Sequence, residues 1–265
     1  MQNERGDVTA ALRLCGLFAL LCIVWVHGRL FCRGTLLQRG QWRQRWCIRI
    51  VRYLGLQSAV SGVVPQRGLM VANHISYLDV LVLGALTPAA FVAKKEVRRW
   101  PVIGACCAMG GTLYLDRESP RAVAAINRRI ADAFAQNVPV VVFPEGTTTA
   151  GDQLLPLHTA LFQAAVQRCV PIIPTALTYH HAGGALTIRE RIAYWGDMTL
   201  LPHLHSLMKL RGITADVRFR ATSVPARTRA EAAMLCEMEL RRMLGSTTDL
   251  REDAALPVAQ QMSAA

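Results

Sequence analysis

Between Asp7 and Asp79 the chain has no acidic residue at all. The same stretch carries nine arginines: Arg13, Arg29, Arg33, Arg39, Arg43, Arg45, Arg49, Arg52 and Arg67. Most of the formal net charge of +12 is therefore N-terminal, and the remainder of the chain need not be built to hold a polyanion. Zinc-finger spacing, an RNA-binding aromatic signature and a helix-turn-helix pattern are also missing, which argues against nucleic acid as the partner of this basic chain. None of the eight cysteines belongs to a CxxC pair, so they read as small buried hydrophobes in a reducing compartment. Neither a metal site nor a disulfide framework is expected. No small-x-small cleavage site follows the first apolar run, and the arginines lie mainly on its far side, which argues against a cleaved secretory leader. No internal repeat is evident.

The 265 residues are 52% hydrophobic, ample for the core of one large α/β domain or of a domain with an appendage. Residues 8–26 are apolar except for Thr9 and Arg13, a length close to the roughly 20 residues that span a bilayer. Arg13 sits near one end, where it can snorkel. The arginines from Arg29 to Arg52 follow directly, an order that suits an anionic membrane surface and puts what comes next on the cytoplasmic side. Both a full crossing and a dip into one leaflet fit this segment. At the helical period, Trp42, Trp46, Ile50, Val51 and Leu54 share one arc, while Arg45, Arg49 and Arg52 group elsewhere. Such a helix either lies in the headgroup plane or packs on the rest of the chain with its arginines in water.

After residue 55, short β-branched runs alternate with helical stretches, the pattern of an α/β fold with a mixed, largely parallel sheet flanked by helices. Strands are expected at 58–64, 68–73, 90–94, 112–116, 138–143, 171–178, 185–194 and 213–221. Helices are expected at 77–87, 100–109, 119–136, 157–168, 199–210 and 227–244. Three parts follow: a membrane-associated region over 1–54, a main domain over 55–245 and a polar, weakly structured tail over 246–265. His180, His181, His203 and His205 read as surface residues.

The sharpest local signal is VANHISYLDV, an apolar strand ending at Asn73 and His74, with Asp79 five residues beyond His74. On one ideal helix these two side chains point about 140° apart and do not meet. With His74 in a loop and Asp79 in the first turns of the next helix, the carboxylate reaches one imidazole nitrogen. That contact fixes the tautomer and leaves the other nitrogen as a general base. Taken alone, the pair reads first as a structural histidine at a helix N-terminus, because a histidine and an aspartate five apart often occur by chance.

The segments NHISYLD (73–79), GTLYLDR (111–117), FPEGTTT (143–149) and VPIIP (170–174) supply the missing context. In this order they resemble the four motifs of glycerolipid acyltransferases of the lysophosphatidic acid acyltransferase type, and AKKEVRRWPVIG (93–104) is similar to the family's link between the first two. The resemblance covers residues 55–200. It implies transfer of an acyl group from acyl-coenzyme A or acyl carrier protein to 1-acylglycerol 3-phosphate at a membrane. It also implies His74 as base, Asp79 as its partner, and Arg117, Glu145 and Gly146 in acceptor binding, with Asn73, Gly111 and Thr147 beside them. No cofactor beyond the thioester co-substrate is expected.

The residue chemistry fits these assignments. Arg117 can grip a phosphate monoester bidentately, or simply pair with Glu145. Glu145 would repel phosphate, so it orients either Arg117 or a glycerol hydroxyl. Gly146 lets backbone approach a ligand, and Thr147 offers a hydroxyl or caps the turn. Lys94 and Lys95 suit the phosphates of coenzyme A or the acidic face of acyl carrier protein, or form a solvated surface. The chain has no GxSxG elbow, which weakens any acyl-enzyme route. One departure stands out: Thr148 occupies the position where the commonest family form has arginine, and His158 stands where a basic residue is more usual. This variant resembles lyso-ornithine lipid acyltransferases and leaves an aminolipid acceptor open.

Overall fold

The computed structural model describes residues 2–116 and 119–245, so Arg117 and the expected tail over 246–265 lie outside the described residues. The described residues form one sheet of seven strands: β1 (Leu56–Ser61), β2 (Leu69–Ala72), β3 (Ala90–Lys94), β4 (Leu113–Leu115), β5 (Val140–Val142), β6 (Ile172–His180) and β7 (Ile213–Phe219). Their spatial order is β1-β7-β6-β2-β5-β3-β4, and every pairing is parallel except that of β6 with β7. This is the mixed, largely parallel sheet that the sequence implies. The helices are α1 (Gln2–Phe31), α2 (Leu36–Leu54), α3 (Leu78–Leu86), α4 (Ile103–Met109), α5 (Pro120–Ala135), α6 (Gln163–Gln167), α7 (Gly184–Thr187), α8 (Leu200–Met208) and α9 (Arg229–Gly245).

β2 shows why the sheet is sandwiched. All four of its residues are buried, because a central parallel strand is covered on both faces. Met70 and Ala72 enter a core shared with α1, α2, α3 and α8, whereas Leu69 and Val71 enter a second core shared with α5, α6 and α9.

The N-terminal helices belong to the first core. α2 begins at residue 36 because Thr35 and Gln38 form a capping box, and it ends where Gly55 adopts the left-handed conformation. Trp42, Ile50, Val51 and Leu54 are buried, while Arg45, Arg49 and Arg52 are exposed. Of the two readings of this helix, the structure has it packed on the main domain. No break in packing therefore falls at the expected 54/55 boundary. Two arginines of the basic run turn inward. Arg43 is buried and donates to Gly110 O at 2.7 Å and to Ala89 O, and Arg39 donates to Met109 O at 2.7 Å and to Ala108 O. Both satisfy carbonyls at the C-terminal end of α4, where positive charge is favoured.

α1 docks along its length. Ala10, Leu17 and Val24 are buried, Trp42 Nε1 donates to His27 Nδ1 at 3.1 Å, and Asp7 pairs with Lys209. Arg13 does not snorkel as expected. Its guanidinium donates to the carbonyls of Leu54 (3.1 Å), Leu210 (3.0 Å) and Met208, so the ends of α2 and α8 hold it in place. The other face of α1 is bare, with Leu12, Phe18, Ile23, Val26 and Leu30 all exposed.

Two further expectations fail. The segment 185–194 is no strand: α7 leads into a π-helical turn, Ile188–Ile192, in which Ile192 is buried at a helical spacing from Ile188. β1 and β6 already occupy both edges of β7, so no partner strand is left there. Among the cysteines, Cys47 and Cys236 are buried, but Cys15 on the outer face of α1 and Cys169 in a left-handed turn are exposed.

Candidate active site

Strands β2, β3, β4, β5 and β6 run in one direction, so their C-terminal ends share one edge of the sheet, the place where open α/β folds hold ligands. β2 delivers Asn73 and His74 to that edge, and β5 delivers the segment from Phe143 to Thr147. β3 ends at Lys94, and β4 ends at Leu115 just before Asp116.

His74 lies in the loop and Asp79 in the first turn of α3, and the two meet: His74 Nδ1 is 2.7 Å from Asp79 Oδ2. Asp79 is fully buried, and the same oxygen accepts from the backbone amides of Ile75 (2.7 Å) and Ser76 (2.9 Å). Asp79 Oδ1 accepts from the Tyr179 hydroxyl at 2.7 Å. The carboxylate can only accept from Nδ1, so Nδ1 carries the proton and Nε2 has a free lone pair. The His74 ring stacks on Phe143 with centroids 4.1 Å apart, which fixes its plane, and its side chain keeps 19% exposure. A base must be held and yet reachable, and this one is both.

The FPEGTTT segment brackets the histidine backbone. Glu145 Oε1 accepts from His74 N at 2.7 Å, and Thr149 N donates to His74 O at 2.9 Å. Glu145 Oε2 accepts from Leu155 N at 2.9 Å. Burial pushes the Glu145 carboxyl above its ordinary range, while the amides of Leu155 and His74 pull the other way. Glu145 thus ties two loops together. Gly146 has a left-handed φ of 79° in a turn closed by its amide on Phe143 O, and Thr147 is exposed beside it.

Two expected acceptor residues serve the scaffold instead. Asn73 is buried, with Nδ2 donating to Leu177 O (3.0 Å) and Oδ1 accepting from Leu177 N (2.8 Å), which clamps the end of β2 to β6. Gly111 has φ of 85°, and a Cβ there would lie 2.7 Å from the Leu36 side chain, so it serves the packing of α2. Lys94 is exposed, and Lys95 pairs with Asp116 at 2.8 Å.

Sequence reasoning missed three groups. Tyr179 lies one residue beyond the expected end of its strand, and no local spacing links it to Asp79. Leu177 acts through its backbone alone. His203, expected at the surface, is buried: its Nε2 donates to Ala193 O (2.9 Å), and its Nδ1 accepts from the hydroxyl of Tyr77, inside the NHISYLD motif (2.9 Å).

The family model for acyltransferases matches residues 57–178. The chain is 34% identical over 206 residues to a lyso-ornithine lipid O-acyltransferase of Pseudomonas aeruginosa, covering 76% of this chain and 78% of that protein. It is 32% identical over 188 residues to a 1-acyl-sn-glycerol-3-phosphate acyltransferase of Neisseria gonorrhoeae, covering 70% and 72%. The crystal structure of the 1-acyl-sn-glycerophosphate acyltransferase PlsC from Thermotoga maritima has the same fold, with a TM-score of 0.68 at 18% identity over 96% of this chain and 100% of that one. The chain therefore belongs to the acyltransferase family.

Proposed function

We propose that the enzyme transfers a fatty acyl group from acyl-coenzyme A or acyl carrier protein to the free sn-2 hydroxyl of 1-acylglycerol 3-phosphate, giving phosphatidic acid. The observation that carries this reading is the reachable His74 imidazole held by a fully buried Asp79. His74 Nε2 takes the hydroxyl proton as the alkoxide oxygen attacks the thioester carbonyl carbon. The tetrahedral intermediate then collapses, the carbon–sulfur bond breaks, and the imidazolium returns the proton to the departing thiolate. Asp79 stabilises the imidazolium between these steps. No covalent acyl-enzyme is needed.

On the acceptor side we assign phosphate binding to Arg117, with Gly146 and Thr147 lining the approach and Glu145 holding their loop to His74. Lys94 is the exposed cation for the donor's phosphates or for an acidic carrier surface, with Lys95 beside it in its pair with Asp116. Lyso-ornithine lipid is the second reading of the acceptor, favoured by Thr148 and by the relative from Pseudomonas aeruginosa.

The enzyme works at the cytoplasmic face of a membrane in this reading, with α1 in one leaflet rather than across the bilayer. α1 is long and apolar enough to cross, but contacts at Asp7, Arg13, Leu17, Val24 and His27 tie both its ends to the domain. A crossing would drag those partners into hydrocarbon.

The decisive experiment is an acceptor panel with purified enzyme in detergent, run separately with each thioester donor. Phosphatidic acid should form from 1-acylglycerol 3-phosphate, and His74→Ala should lower kcat about 10²- to 10⁴-fold with the protein still folded. More than a tenth of wild-type activity in that variant removes His74 from the mechanism. If lyso-ornithine lipid is the better acceptor, Thr148→Arg should shift kcat/KM toward 1-acylglycerol 3-phosphate.

A further inference from the structure

Tyr179 sits on β6, two residues beyond the Leu177 peptide that clamps Asn73, so one strand holds both ends of the NHISYLD motif. It is 3% exposed, and its hydroxyl is 2.7 Å from Asp79 Oδ1. We propose that Tyr179 is a positioning residue for acyl transfer: its phenol locks the Asp79 carboxylate and sets how strongly that carboxylate holds the protonated His74 ring. The proposal rests on His74 being the proton acceptor.

Three donors converge on Asp79 Oδ2, namely His74 Nδ1–H and the amides of Ile75 and Ser76. The Tyr179 O–H on Oδ1 stops the carboxylate from turning away from the imidazole, and it draws electron density from the carboxylate. A carboxylate with one donor fewer is more basic and stabilises an adjacent imidazolium more strongly. Tyr179 is fit to be a permanent donor, because burial first and the Asp79 charge second push its phenol well above the usual tyrosine value. The other titratable groups facing this cluster are Glu145 from the loop after β5 and Tyr77 from the start of α3, with Tyr194 and His203 behind Tyr77. Both Glu145 oxygens are bonded to backbone amides that a change at position 179 leaves in place. A difference between variants at position 179 therefore reports on Asp79 and His74.

The test is the pH profile of kcat/KM for purified Tyr179→Phe, alongside the enzyme carrying 3-fluorotyrosine at position 179. Phenylalanine should lower kcat about ten-fold, leave both KM values within about two-fold, and move the acidic limb up by about half a pH unit or more. The fluorinated phenol is a stronger donor, so its acidic limb should move the opposite way, to lower pH. Should Tyr179→Phe fail to fold, the fluorinated enzyme decides by the direction of its shift. If neither limb moves while His74→Ala is inactive, Tyr179 is only a packing residue and the proposal is overturned. If His74→Ala keeps its activity, the base assignment itself is wrong and the proposal falls with it.

Discussion

Asp79 accepts four hydrogen bonds and is itself fully buried, and its replacement by asparagine separates its two duties. An amide preserves the shape but turns one carboxylate oxygen into a donor, which then faces the Ile75 and Ser76 amides, the imidazole Nδ1–H or the Tyr179 hydroxyl. It also cannot stabilise an imidazolium. Asp79→Asn should therefore lower kcat on the order of 10³- to 10⁴-fold with little change in either KM. Steady-state kinetics on folded protein checks this, and an unchanged kcat would reduce Asp79 to a helix-start residue. At this scale the sequence was informative, because a histidine and an aspartate five apart form a local pair that the loop and the first turn of α3 bring together. It was silent on Tyr179 and Leu177, since each acts from about a hundred residues away and pairs only when β6 lies beside β2.

Among the elements, α8 is tied to the catalytic loop by one buried imidazole. Burial pushes His203 below the usual histidine value, against a smaller raising effect of its bond to Ala193. A histidine lowered in the folded state contributes stability that is present above its unfolded value, about 6.5, and lost as pH falls through the folded value. The stability advantage of wild type over His203→Gln should therefore be greatest near pH 7 and shrink toward pH 5, by at most about 1.4 kcal/mol per pH unit. Chemical denaturation of both proteins across that range measures it, and a constant difference would contradict the buried neutral imidazole. α8 itself was legible from its apolar periodicity, but the histidine's burial was not, because Tyr77 and Ala193 reach it from other parts of the chain. The 185–194 segment failed for a related reason. Its alternating pattern mimics a strand, yet the next strand in the chain, β7, already has β1 on one side and β6 on the other.

For the whole molecule, the two faces of α1 have separate roles. Leu12, Phe18, Ile23 and Leu30 are 56–68% exposed, and withdrawing each from water is worth about 1 kcal/mol at that exposure. Replacing all four with serine or glutamine should cost about 4 kcal/mol of membrane affinity, roughly a thousand-fold in partitioning, while Ala10, Leu17 and Val24 keep the helix docked. Vesicle sedimentation together with thermal melting tests this, and unchanged pelleting would place the membrane contact elsewhere. The docked face has a further consequence, set by the order of synthesis. Arg13 is pinned by the carbonyls of Leu54, Met208 and Leu210, and the last of these lies 197 residues away along the chain. At about 5–20 residues per second, α1 waits roughly 10–40 s on the ribosome before that partner has been made. During that interval the part of its docked face that meets the end of α8 is uncovered, and its apolar run is free to meet a bilayer. The nascent chain is thus expected to reach the membrane first and close its fold there, with the completion of α8 as the event that turns an inserted segment into a docked one.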